Sequence, residues 1–145
     1  MRTTEILLVD DNPADTDLTS EVLSRNGGLS HIHSVINGVE AIAFLRREGK
    51  YANAILPDFV ILDLNLPKKD GRAVLAEVKA DPVLRKIPIA VFSTSEAQQD
   101  ILRSYELGAN CYVSKPGNLK DFISAVTRIG QFWVGLAHLP REEKR

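Results

Sequence analysis

Asp63 follows the apolar run Phe59 to Leu62, so a carboxylate stands where a buried strand ends and the chain turns through Leu64, Asn65, Leu66 and Pro67. The same punctuation recurs along the chain. Ile6 to Val9 runs into Asp10 and Asp11, Ile87 to Phe92 runs into Ser93, Thr94 and Ser95, and Cys111 to Ser114 runs into Lys115 and Pro116. In an open α/β sheet ligands bind at the carboxyl ends of the strands, so these groups are expected at one edge. Carboxylates brought together repel and call for a cation. Oxygen donors with open positions suit Mg²⁺, which accepts a phosphate oxygen as a further ligand. Lys115 and Ser93 supply an ammonium and a hydroxyl for phosphoryl oxygens. Asp63 is then placed to act as a nucleophile carrying an acyl phosphate, with metal and ammonium stabilising the charge in flight. A single Asp after a strand is usually a turn or cap residue; the joint pattern at several strand ends, closed by Lys115-Pro116, is not explained that way.

Such convergence requires alternating strands and helices. The first helix is predicted from Pro13, capped by Asn12, with Leu18, Val22 and Leu23 inward and Gly27-Gly28 ending it. A strand from His31 to Ile36 follows, then a helix from Gly38 that stops near Gly49. The connection from Tyr51 to Pro57 is long for a helix-to-strand loop, which predicts a surface feature with its own purpose. A third helix carries Ala73, Val74, Leu75 and Val78, a fourth spans about 97–107 and ends at Gly108 in a left-handed cap, and the last runs from near Asn118 to about Leu136. Five strands alternating with five helices predict an α/β fold, a doubly wound parallel sheet covered on both faces.

With 145 residues and 44% hydrophobic content, the chain is expected to form a single domain, 1–145, with a core over about 4–137 and a short polar tail, 138–145. No attached effector is predicted after the last helix, so the domain is expected to stand alone. A net charge of −1 without long charge blocks argues against nucleic acid and membrane surfaces as partners. The lone Cys111 excludes an internal disulfide and reads as a small apolar core residue. The first apolar run is too short for a signal or membrane segment, which predicts a cytoplasmic protein.

The segments Leu8-Val9-Asp10-Asp11-Asn12, Ile61 to Pro67 with Asp70-Gly71, Val91 to Ser95, and Gly108-Ala109 with Tyr112 and Lys115-Pro116 resemble the receiver domain of two-component response regulators, in order and at receiver spacing. The resemblance implies a flavodoxin-like fold with strand order 2-1-3-4-5. It implies that Asp63 is the phosphoacceptor for a phosphohistidine on a sensor histidine kinase. Asp11 and Asp63 would bind Mg²⁺ directly, the backbone carbonyl of Asn65 would add a ligand, and Asp10 would act mostly through water. Lys115 would pair with the phosphoryl group. Ser93 stands at the Ser/Thr switch position, and Tyr112 at the aromatic position whose ring turns inward when that hydroxyl moves. Gly117 departs from the aromatic residue common in the family. A phosphohydrolase using an aspartyl phosphate would need a general acid two residues after the nucleophile, where this chain has the amide Asn65. The expected role is therefore a signalling module without substrate turnover.

The signal must leave through a surface. On the last helix Leu119, Phe122, Val126, Gly130, Trp133 and Ala137 share one face, and Ile123, Ile129, Phe132, Val134 and Leu136 widen the apolar sector to roughly 200°. Either the chain end covers this sector or a partner does. The expectation is a homodimer through the fourth helix, fifth strand and fifth helix, with Tyr105, Tyr112, Ile129, Phe132, Trp133 and Leu136 on the dimer or partner face, acting on a downstream protein. A constitutive scaffold and a phosphorelay intermediate are the alternative outputs. The long segment before Asp58, the Phe92 to Ser95 run and the Phe132-Trp133 pair resemble small response regulators that serve bacterial phytochromes, which implies a light-sensing kinase as donor. His31 and His33 lie two apart, so they share one strand face and could chelate a metal or simply be solvated edge residues.

Overall fold

The computed structural model of the protein describes residues 3–25 and 30–140. Parallel strands β1 (Thr4–Val9), β2 (Ser30–Val35), β3 (Phe59–Leu62), β4 (Ile89–Ser93) and β5 (Cys111–Ser114) form one sheet in the order β2-β1-β3-β4-β5. Between and after them lie α1 (Pro13–Ser24), α2 (Gly38–Arg46), α3 (Gly71–Ala80), α4 (Gln98–Glu106) and α5 (Leu119–Trp133). The order reverses between β1 and β3, where a crevice opens at the carboxyl ends. The doubly wound fold and its strand order are thus as expected. Gly27-Gly28, expected to end α1, and tail residues 141–145 lie outside the described residues.

Alternation along the central strands divides the core. Leu7 and Val9 with Val60, Leu62, Ile89 and Val91 pack against α2 and α3 through Ile42, Phe44, Leu45, Val74, Leu75 and Val78. Ile6 and Leu8 with Phe59, Ile61, Ala90 and Phe92 face α1 and α5 through Val22, Leu23, Phe122, Val126 and Ile129. Both sheet faces are covered, which is why the strands read as continuous apolar runs instead of alternating ones. Helices entering from the carboxyl edge begin with side-chain caps: Asn12, Asn37, Asp70 and Asn118 accept from backbone N–H groups of the first turn. The helix α4 lacks such a cap and buries only Ser104.

Several boundaries shift for physical reasons. The second strand ends at Val35, and Ile36 is exposed because the chain already turns into the Asn37 cap. The fourth strand begins after Pro88, which has no N–H to give to the ladder. The last helix ends at Trp133, not near Leu136, because the N–H groups of Val134 and Gly135 both reach the carbonyl of Gly130 and unwind the turn. Cys111 is half-buried, since β5 is an edge strand; burial still raises its thiol pKa. Gly108 has φ +106°, as its expected left-handed position requires. The long connection packs inward: Tyr51, Ala54 and Leu56 cover the α2/α3 core, and Tyr51 Oη donates to Glu40 at 2.7 Å.

Candidate functional site

Backbone ladder bonds extend one residue past the strands and carry the reactive side chains with them. Asp10 N donates to Val35 O at 3.1 Å, Asp63 N to Val9 O at 2.9 Å, and Lys115 N to Ser93 O at 2.7 Å. Position along a strand therefore fixes where each side chain emerges. The turn after Asp63 is anchored by buried Leu64 and Leu66 and by Gly71, the first residue of α3, whose N–H donates to Leu64 O at 2.8 Å. A Cβ on Gly71 would lie 2.2 Å from Asp63 O, so only glycine lets α3 start against the backbone of Asp63.

Lys115 Nζ donates to Asp10 Oδ2 at 2.8 Å, Asp15 Oδ2 at 2.9 Å and Asp63 Oδ2 at 3.0 Å. Its side chain is 3% exposed. The ammonium thus lies on the carboxylates themselves, whereas the sequence reading, which also brought it to this edge, assigned it to phosphoryl oxygens. Burial alone would lower the Lys115 pKa, but its hydrogen bonds to Asp10 and Asp15 and the charges of Asp63 and Asp10 outweigh it and hold the group above its usual value. Asp10 moves upward, because desolvation exceeds the help it receives from Lys115 and from Asn12 N–H at 3.0 Å. Asp15 was not foreseen. It sits in the first turn of α1, and the readable signal was an acidic residue just inside a helix that starts at the sheet's carboxyl edge.

One ammonium does not neutralise this set. Ligand oxygens of Asp10, Asp11 and Asp63 lie within 4.8 Å of one another, and Asp11 opens the cluster to solvent. All-oxygen donors with excess negative charge and an open side fit a hard divalent cation. Asn65 N donates to Asp63 Oδ1 at 3.2 Å, which places the residue expected to add its carbonyl directly beside the acceptor. Asp11→Asn is expected to raise the melting temperature of the metal-free protein at low salt, by roughly 0.5 kcal/mol of stability, while weakening divalent-cation affinity. Thermal melts with and without cation check both signs; a variant that melts lower without metal would remove the repulsion from the account.

Ser93 is fully buried at the end of β4, with its Oγ 3.5 Å from Ser95 N. Ser95 links several elements. Its Oγ donates to Asp100 Oδ2 at 2.6 Å, and its carbonyl accepts from Tyr112 Oη at 2.9 Å. Asp100 in turn accepts from Arg72 of α3 at 2.7 Å. The Ser95 hydrogen bond, then that of Arg72, lowers the Asp100 pKa. Sequence reasoning missed Arg72 and Asp100, since their roles depend on tertiary contacts with no local pattern. Tyr112 N donates to Tyr105 Oη at 3.1 Å, so the two tyrosines meet.

The expected partner face needs correction. Ile129 is buried in the α1/α5 core, and Trp133 is half-buried with its ring stacked on Phe59 at 5.0 Å. Neither projects outward, because α5 uses a broad sector to cover the sheet. Tyr112 is half-buried against the other core cluster. Exposed apolar side chains remain at Leu102 and Tyr105 on α4 and at Phe132 and Leu136.

The response regulator receiver domain model matches residues 6–127. Response regulator Rcp1 of Synechocystis sp. is 46% identical over 135 residues, 93% of this chain and 92% of that protein. The crystal structure of the Mn²⁺-bound form of Rcp1 superposes with a TM-score of 0.93 at 45% identity, covering 95% of this chain and 99% of that one. The phosphorylated cyanobacterial phytochrome response regulator RcpA also gives a TM-score of 0.93, at 48% identity, covering 97% and 100% of the two chains. With its acidic crevice, its buried Lys115 and these relatives, the chain belongs to the response regulator receiver domain family.

Proposed function

We propose that Asp63 accepts a phosphoryl group from the phosphohistidine of a sensor histidine kinase, and that the modified protein signals by changing its association with other proteins. The observation that carries this is Lys115 Nζ held 3.0 Å from Asp63 Oδ2 inside an acidic crevice. An Asp63 oxygen attacks phosphorus as the P–N bond breaks; the electron pair leaves on the imidazole, and the product is an acyl phosphate. Asp10, Asp11 and Asp63, with the Asn65 carbonyl, would hold Mg²⁺. The bound cation would neutralise charge on the phosphoryl oxygens. Lys115 would move from carboxylate to phosphoryl oxygen over a short path. Ser93 would donate to another oxygen, and its displacement would pull on Ser95 and so on Tyr112 and α4.

Asn65 provides no general acid, which supports a signalling role over hydrolytic turnover. The likeness to RcpA supports a phytochrome-type, light-sensing kinase as the donor. No helix among the described residues is long and apolar enough to cross a membrane; we place the domain in the cytoplasm. Incubation with Mg²⁺ and acetyl phosphate, read by intact mass, tests the chemistry: a phosphoryl adduct is expected, and none with intact fold and loaded cation would overturn it.

For the output we propose a homodimer through α4, β5 and α5. Leu102, Tyr105, Phe132 and Leu136 are 57%, 47%, 49% and 70% exposed, and the weakly anchored α4 is the element best able to shift. Phe132 meets Trp133 edge-on at 5.1 Å, so its outer face is available as an aromatic anchor. Phe132→Ser is expected to weaken dimerisation by about 2 kcal/mol without lowering phosphorylation. Light scattering on the same phosphorylated samples checks this; an unchanged dimer in the variant would exclude Phe132 from the interface.

A further inference from the structure

At the opposite edge of the sheet, Glu5 of β1 and His31 and His33 of β2 converge on one face. Parallel register places His31 beside Glu5, and His33 points the same way two residues on. Glu5 Oε1 lies 3.1 Å from His31 Nδ1 and 3.1 Å from His33 Nε2, and the candidate ligand atoms all fall within 4.8 Å of one another. Tetrahedral Zn²⁺ with bonds near 2.0–2.1 Å needs ligand atoms about 3.3 Å apart, so small side-chain rotations suffice.

We propose that Glu5, His31 and His33 form a Zn²⁺ site. Two imidazoles and a carboxylate match the donor preference of a borderline cation and differ from the all-oxygen set at the other edge. The scaffold is firm: Glu5 N donates to Asp58 Oδ2 at 2.8 Å while Asp58 N donates to Glu5 O at 2.7 Å. His33 packs on Phe44 with ring centroids 5.4 Å apart, which limits its rotamers. Side-chain exposures of 13%, 29% and 57% for Glu5, His33 and His31 leave one side open, where a cation enters and water completes the coordination. Glu5 precedes Asp10 by roughly 16 Å of strand at about 3.3 Å per residue, so the site is separate from the acidic crevice and does not depend on phosphoryl chemistry. Bound Zn²⁺ would clasp the edge strand β2 to β1.

Calorimetric titration with Zn²⁺ in excess Mg²⁺, which loads the acidic crevice, tests the site. One equivalent is expected to bind the wild-type protein, with affinity falling roughly tenfold to hundredfold or more in His31→Gln and in Glu5→Gln, and no change in Asp11→Asn or His138→Gln. His31 is exposed enough that its substitution leaves the fold intact, which circular dichroism verifies. Co²⁺ loaded under the same conditions is expected to give visible absorption bands that the two ligand variants lose. Unchanged Zn²⁺ affinity in both variants, or no binding to the wild-type protein, would overturn the site and leave a hydrogen-bonded pairing of edge side chains.

Discussion

Asp63→Asn is expected to take no phosphoryl group from acetyl phosphate or from a histidine kinase, while folding normally and keeping a folded mass free of adduct. An amide lacks the negative charge of a carboxylate and is a far weaker nucleophile, so the substitution removes the nucleophile and keeps the shape. The neighbours cannot replace it. Asp10 lies at the end of β1, one strand over from the central β3. Asp15 lies on α1 and is tied to the same ammonium from the other side. Asp63 alone stands at the end of β3, in the middle of the crevice, with Asn65 N–H on one oxygen and Lys115 on the other. Intact mass after incubation with Mg²⁺ and phosphodonor reads the outcome, and a base-labile adduct at wild-type yield in the variant would move the acceptor to another residue.

What the sequence disclosed and what it hid divide along physical lines. Residues whose position follows from strand ends were readable, because the ladder bonds at Asp10, Asp63 and Lys115 continue the strands by one residue and leave little freedom. Helix starts were readable at Asn12, which announced its cap, and near Asn118, which the structure shows to be one. Asp15 escaped because a first-turn Asp is as well explained by the helix dipole as by a distant ammonium. The Ser95, Asp100 and Arg72 connection escaped because its members come from a loop, α4 and α3, which only folding brings together. The outward face of α5 was overdrawn at Ile129 and Trp133: a hydrophobic sector gives direction around the helix but not how much of the sheet it must cover, and Phe59 reaches far enough to claim Trp133. Leu102 was overlooked, since one exposed leucine on a polar helix has no pattern to betray it.

Lys115→Ala should separate the two cations that compete for this crevice. The ammonium occupies Oδ2 of both Asp10 and Asp63, carboxylates that belong to the same cluster a divalent cation would use. Removing it leaves buried carboxylates uncompensated, and breaking a buried ion pair from one side costs about 3–5 kcal/mol. The metal-free variant is therefore expected to melt well below the wild-type protein. Cation binding should survive and tighten, since the carboxylates no longer have an internal partner to give up, and added Mg²⁺ should recover more melting temperature in the variant than in the wild type by mass action. The phosphoryl group, by contrast, loses the charge that would hold it against β5, so the variant should carry its adduct without the change in association that follows in the wild type. Lys115→Met, which keeps the length of the stem, guards against a collapse of the crevice as the cause. Melting curves across a Mg²⁺ titration, paired with light scattering on phosphorylated samples, read both halves. Equal Mg²⁺ stabilisation in variant and wild type would mean that ammonium and metal do not share oxygens. A full association response without Lys115 would mean that the signal leaves the crevice through Ser93 and Ser95 alone.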